Sequence, residues 1–486
     1  MEGKVLVVQL ARLGDLVQTW PLLRRLRHHD PGRHLELLTD SRLRALQTLG
    51  PEVDHHWELD LAGLPLLAQR DFPSAYERVR RWANGLKNQG YDLVYNLNFS
   101  RLSLLLAYLV GGEVKGYQPV QGGREFLREP WLALVFALVH ARQVNRLHLS
   151  DVFRHLAPAT PPEPRPATLA LGPKEPVIAL QVATRHSRRT WPLEAFTRLA
   201  GLLVDRLGSQ VWLVGTKAER PQGETLRRGL TPAHRERVVN LQGKTDLQEL
   251  AARLREAHLL VSGDTGTLHL AATLGTRTLG VFLGPASCFE TGPYGDGHYV
   301  FQAKPPCHPC AEAGAGCPEP ICQAMITPDA VADLVVSLYT EGEVFTLPRL
   351  PAGTRLYRSF YDSLGVNYAS LKDGLRFIDL VGQAYRCAGA RLLGLTCPTW
   401  QIPFLPLGEE DRRNLEGLAA ALNNGGSLGM TSPLLAEALT PLQASREEMH
   451  RQQLIGRDRD EAETCLASVV KGFRTGLQEF VTGGEP

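Results

Sequence analysis

The feature that most limits what this chain can fold into is an alternation of short apolar runs with amphipathic stretches, and it occurs twice. In the first 150 residues the runs at 4–9, 34–38 and 93–96 are rich in Val and Leu, as buried parallel strands are. Between and beyond them, 21–27 sets Leu22, Leu23 and Leu26 on one helical face, and 103–110 reads as a buried helix. The pattern restarts at 177. Strands are expected at 177–181, 210–214, 259–261 and 278–282, with helices at 192–207, 247–257 and 268–274 and a last one opened by Thr327-Pro328-Asp329. Thr245-Asp246-Leu247-Gln248 has the spacing of a capping box. Such alternation predicts an α/β fold of two doubly wound parallel sheets, each covered on both faces.

Pro158, Pro161, Pro162, Pro164 and Pro166 stiffen the stretch between the two halves, which excludes helix and central strand there. The expected organisation is therefore 1–157 as a first half, 158–176 as a linker and 177–344 as a second half. Residues 345–486 break the alternation and read as a mainly helical extension, with 446–463 as a solvated charged face. Two halves on one linker imply a cleft, and ligands of such sheets bind beyond the carboxyl ends of the strands.

Charge excludes one class of function. Lys and Arg number 53 against 51 Asp and Glu, a net of +2, so nothing calls for broad nucleic-acid binding. The windows 102–110 and 131–139 are the most apolar, yet both fall short of the ~18 residues a spanning helix needs. Arg12 and Asp15 interrupt any export-signal core, and eight Cys in 486 residues are too few for a disulfide scaffold. A soluble, cytoplasmic protein is expected.

Four loops carry chemistry. Gly243-Lys244-Thr245 is not a phosphate loop, because Val238 stands where the upstream glycine is required. Ser262-Gly263-Asp264-Thr265-Gly266-Thr267-Leu268-His269 joins a strand to a helix, so its free N–H groups and the helix dipole suit a diphosphate; simple capping and a packed histidine are the alternatives. Thr184-Arg185-His186-Ser187-Arg188-Arg189 is a second such loop, whose cations could hold a phosphate or simply face solvent. Glu219, after the strand at 210–214, suits ribose hydroxyls or a helix start. Asp15 in Leu13-Gly14-Asp15 is a general base or a helix cap.

Taken in order, these motifs resemble glycosyltransferase family 9, the bacterial heptosyltransferases of lipopolysaccharide core assembly, over residues 5–338. The residues that carry the likeness are Leu13-Gly14-Asp15 with Thr19-Trp20-Pro21, Arg189-Thr190-Trp191-Pro192, Asn240-Leu241-Gln242-Gly243-Lys244-Thr245 and Asp264-Thr265-Gly266-Thr267-Leu268-His269. The resemblance implies two Rossmann-like domains facing a cleft (the GT-B architecture) and an inverting, metal-independent transfer. It implies Asp15 as the base and Arg189, usually Lys in the family, as the group assisting the leaving diphosphate. Thr184, Asp264, Thr265, Gly266 and His269 match positions holding the donor diphosphate. Glu219 matches the ribose carboxylate and Thr245 borders the nucleoside.

The implied donor is a nucleotide sugar, typically ADP-heptose, used as substrate with no cofactor. The implied acceptor is a lipopolysaccharide core or related glycan, with peripheral contact at the inner membrane and no nucleic acid. A nucleotide-sugar epimerase or hydrolase on the same fold, and a partner-binding scaffold using the extension, are the alternatives. Cys307, Cys310, Cys317 and Cys322 lie within sixteen residues and read either as a zinc set or as thiols, while Cys288, Cys387, Cys397 and Cys465 read as buried thiols.

Overall fold

The computed structural model describes residues 3–398 except 120–125, 160–174, 311–316, 318, 343–345 and 373–375. Beyond 398 it describes only 409–411, 413–414, 440–441, 444, 467–468, 471–473 and 475. Most of the linker, Cys465 and the charged stretch 446–463 thus lie outside the described residues.

Two sheets organise the chain. The first has the order β3-β2-β1-β4-β5-β6, from β1 (Lys4–Gln9), β2 (His34–Asp40), β3 (His55–Leu59), β4 (Leu93–Asn96), β5 (Glu113–Pro119) and β6 (Phe126–Arg128). It is parallel except for the β5–β6 pair. Alternate residues of β1 serve opposite faces. Val5 and Val7 join Leu16, Val17, Trp20 and Leu23 of the helix Leu13–His29, while Leu6 and Val8 meet Leu86, Leu106 and Val110 on the other side. That helix begins eight residues before the expected 21 and runs through Pro21. Its apolar face extends over Leu16, Val17 and Trp20, and this burial outweighs the hydrogen bond that Pro21 cannot donate.

The second sheet has the order β14-β13-β12-β11-β10-β7-β8-β9. Its parallel strands are β7 (Val177–Gln181), β8 (Gln210–Val214), β9 (Val238–Asn240), β10 (Leu259–Ser262), β11 (Thr278–Phe282) and β12 (Tyr299–Ala303). In both sheets the strand order reverses beside the first strand of the half, so crevices open beyond β1/β4 and β7/β10.

After residue 344 the described residues hold strands as well as helix. β13 (Thr354–Tyr361) and β14 (Val366–Ser370) add antiparallel to β12 and extend the second sheet. The helix Phe377–Leu392 then packs against the first half, where a Cβ on Gly389 would lie 2.9 Å from Trp131. Cys387 and Cys397, expected as thiols, form a disulfide. Among the described residues no helix is long and apolar enough to cross a membrane.

Candidate active site

The loops after β1, β7, β8 and β10 converge on one cavity of about 540 Å³ between the halves. Asp15, Thr184, Arg189, Glu219, Thr245, Asp264, Thr265, Gly266 and His269 all line it. The two halves touch where glycines remove side chains. A Cβ on Gly14 would sit 3.0 Å from the His269 ring, and one on Gly266 would lie 2.5 Å from Leu13.

Asp15 occupies the first turn of Leu13–His29, and its Oδ2 accepts a hydrogen bond from the Arg12 backbone N–H at 3.1 Å. Asp15 is thus not the N-cap, which is Arg12, but the residue at N3 that satisfies the cap's backbone N–H, and it lines the cavity. One turn on, Gln18 also lines the cavity; its Nε2 donates to the Gly14 carbonyl at 3.3 Å, and its buried Oε1 has no partner among the described residues. Sequence reasoning missed Gln18, although its i+3 spacing from Asp15 put both on one helix face.

On the second half, Thr265 caps the helix Gly266–Thr273 by accepting from Leu268 N at 3.2 Å. This helix starts two residues earlier than expected, so Gly266 and Thr267 form its first turn. Asp264 anchors a buried ionic cluster. Its Oδ2 takes a 2.5 Å hydrogen bond from Arg189 Nη1, and its Oδ1 stands 3.5 Å from His269 Nε2. Burial alone would raise the Asp264 pKa, but the His269 hydrogen bond and charge, with Arg189, outweigh it and hold the carboxyl below its usual range. His269 Nδ1 is buried and has no hydrogen-bond partner among the described residues.

Gln181, at the end of β7, ties the loops together. It donates to Glu219 Oε2 at 3.1 Å and accepts from Thr267 Oγ1 at 3.1 Å. Glu219 also accepts from Thr216 N at 2.8 Å, so the helix-start alternative holds while its carboxylate lines the cavity. The capping box near Thr245 lies one residue later than expected. Asp246 and Glu249 cap each other's backbones at 2.8 and 2.9 Å, because Asp with Glu at N3 satisfies two donors reciprocally. Thr245 is left beside the cavity.

Of the four clustered cysteines, Cys307 and Cys317 are exposed, Cys310 is half-buried and Cys322 is buried. Among the described residues no group of three or more His, Cys, Asp or Glu is arranged to hold a metal ion.

Comparison with known proteins adds a second line of argument. The family model described as glycosyltransferase family 9 (heptosyltransferase) matches residues 79–319. Lipopolysaccharide heptosyltransferase 1 of Pseudomonas aeruginosa is 26% identical over 327 residues, covering 63% of this chain and 86% of that one. A stretch of 108 residues, 22% of this chain, is 35% identical to lipooligosaccharide heptosyltransferase 2 of Haemophilus influenzae but spans only 31% of that relative's length. Among solved structures, an Escherichia coli heptosyltransferase with ADP superposes with a TM-score of 0.52 at 20% identity, covering 68% of this chain and 98% of that one. This last likeness is one of fold.

Proposed function

This chain belongs to glycosyltransferase family 9, and from that premise we propose that it transfers heptose from ADP-heptose to a lipopolysaccharide core acceptor. The observation that supports this reading best is the single cavity shared by Asp15 on one half and the Arg189–Asp264–His269 cluster on the other. The donor's diphosphate would lie against the first turn of Gly266–Thr273, where free N–H groups meet Arg189. Glu219 would accept from the ribose hydroxyls. The acceptor oxygen attacks the anomeric carbon as Asp15 takes its proton. The bond from that carbon to the diphosphate breaks, and Arg189 with the helix N–H groups stabilises the departing charge. A single displacement with donor and base on opposite walls inverts the anomeric carbon. The reading assigns no step to a metal.

Calorimetric titration with ADP, UDP and GDP tests the donor assignment. ADP alone is expected to bind well, and Glu219→Ala should weaken it about 10- to 100-fold, as loss of charge-assisted hydrogen bonds does. Preference for UDP or GDP would overturn the heptose assignment. Failure of all three would remove the transferase mechanism drawn here.

Peripheral membrane contact is supported by the outer face of the first half. On the helix Phe72–Lys87, Phe72 and Tyr76 are 68% and 57% exposed; on Arg101–Val110, Leu105 and Tyr108 are 59% and 67% exposed. The same two helices carry exposed Arg81 and Arg101, a composition of apolar and basic residues that favours an anionic bilayer. The chain should sediment with phosphatidylglycerol vesicles, and Phe72→Ser with Leu105→Ser should abolish this. Equal sedimentation of the double variant would exclude this face.

A further inference from the structure

A second cavity, of about 160 Å³, lies where three parts of the chain meet: the segment after the helix Pro130–His140, the end of β12, and the start of the helix Phe377–Leu392. No residue lines both it and the larger cleft. Arg142, Arg146, Lys304 and Arg376 all face it. Against these four cations stand three carboxylates among the described residues, one of them Asp411, which accepts from Phe377 N at 3.0 Å and places its charge beside Arg376. Glu290 pairs with Arg142, and Asp379 pairs with Arg146 at 2.9 Å and with Arg376 at 3.4 Å.

Lys304 is the odd member. Its ammonium makes no side-chain hydrogen bond or ion pair among the described residues. It sits instead 5.3 Å from the centre of the Tyr357 ring and 5.9 Å from that of Phe289, whose ring also carries Arg146 Cζ at 3.9 Å. Two cations on one buried phenyl ring are a poor substitute for a counter-charge, since a ring quadrupole contributes only about 0.5–2 kcal/mol per cation. Burial pushes the Lys304 pKa down to about 8, even though Asp379 acts in the opposite sense. His308, another lining residue, does not add charge: burial, then Lys304, lowers its pKa to about 4.

We infer that this cavity is a binding site for a phosphate-sized oxyanion. The charge fits, because among the described residues the four cations outnumber the carboxylates around them and leave the cavity net positive. So does the size: about 160 Å³ is room for a phosphate group with a little solvent. The donor set fits as well, since guanidinium groups and an ammonium recognise tetrahedral oxyanions by charge-assisted hydrogen bonds. Bound there, the anion would link the first half, the second sheet and the helix Phe377–Leu392 through one ligand.

Calorimetric titration of the full-length chain with inorganic phosphate tests this, with Lys304→Met and Arg376→Gln as variants of this cavity and Arg189→Ala as a variant of the cleft. Arg376 is 40% exposed on its side chain, so Arg376→Gln reports even if Lys304→Met folds poorly. The expected result is saturable uptake that either cavity variant weakens at least tenfold and Arg189→Ala leaves unchanged. Uptake lost only in Arg189→Ala would place the phosphate in the cleft and overturn the inference. No uptake, or uptake indifferent to all three changes, would overturn it too. A sugar 1-phosphate titrated alongside separates the sources: tighter binding than inorganic phosphate makes an ester the occupant, and equal or weaker binding makes it the free ion. This test does not depend on the proposed transfer, since a chain with no nucleotide affinity would still take up phosphate here.

Discussion

Asp15→Asn is expected to lower the rate of sugar transfer about 10³-fold, the usual scale for losing a positioned general base, while leaving the ADP dissociation constant nearly unchanged. The substitution separates the residue's two roles. An asparagine oxygen can still accept from the Arg12 N–H, so the first turn of Leu13–His29 keeps its cap. Only the favourable charge near the helix N-terminus is lost, worth less than about 1 kcal/mol. Stability and turnover should therefore part company. Initial rates of ADP release with acceptor present, set beside thermal unfolding of the same preparation, provide the check. A variant that unfolds early and transfers normally would make Asp15 a member of the capping box and nothing more.

Asp362→Ala should produce the largest loss of stability, about 3–5 kcal/mol, because it leaves a buried guanidinium without its counter-charge. Arg386 Nε and Nη2 reach the two Asp362 oxygens at 2.7 and 2.6 Å, with the two side chains 0% and 2% exposed. Arg386 Nη1 also donates to the Arg146 carbonyl at 2.6 Å, so the pair fastens the helix Phe377–Leu392 to the first half. Set against a typical stability of ~5–15 kcal/mol, that loss is large. Asp362→Ala combined with Arg386→Met should recover part of it, since a buried pair replaced by apolar groups is often near neutral. Thermal unfolding of the single and double variants decides the matter. A single variant as stable as wild type would mean that this helix is not held by the pair.

The parts of the molecule that were readable from sequence share a physical cause. Strands buried on both faces, such as β1, β4, β7 and β11, must be continuous apolar runs, and the loops that follow them must carry the site because the sheet faces are covered. What escaped was set by distant partners. The β13–β14 pair is an edge hairpin whose polar positions, such as Arg355 and Arg358, obscure an apolar run, and its pairing with β12 spans some fifty residues. The Arg189–Asp264 contact joins loops 75 residues apart, and Gln181 acts only through Glu219 and Thr267, neither its neighbour in sequence. The Thr245 cap was misplaced by one residue because two adjacent polar residues offered the same motif.

Asp151 gives the junction between the halves a mechanical meaning. It lies on the helix Leu149–Arg154 of the first half, fully buried, and accepts from Tyr294 OH of the second half at 2.8 Å and from Val366 N of β14 at 2.8 Å. Nearby, Arg154 donates to the Leu364 carbonyl at 2.9 Å. A wide swing about the proline segment would tear these buried bonds from their partners with no water to replace them. The molecule therefore behaves less like two lobes on a string than like a pair of tongs joined at a stiff rivet. Relative movement of the two halves is limited to what leaves these bonds intact.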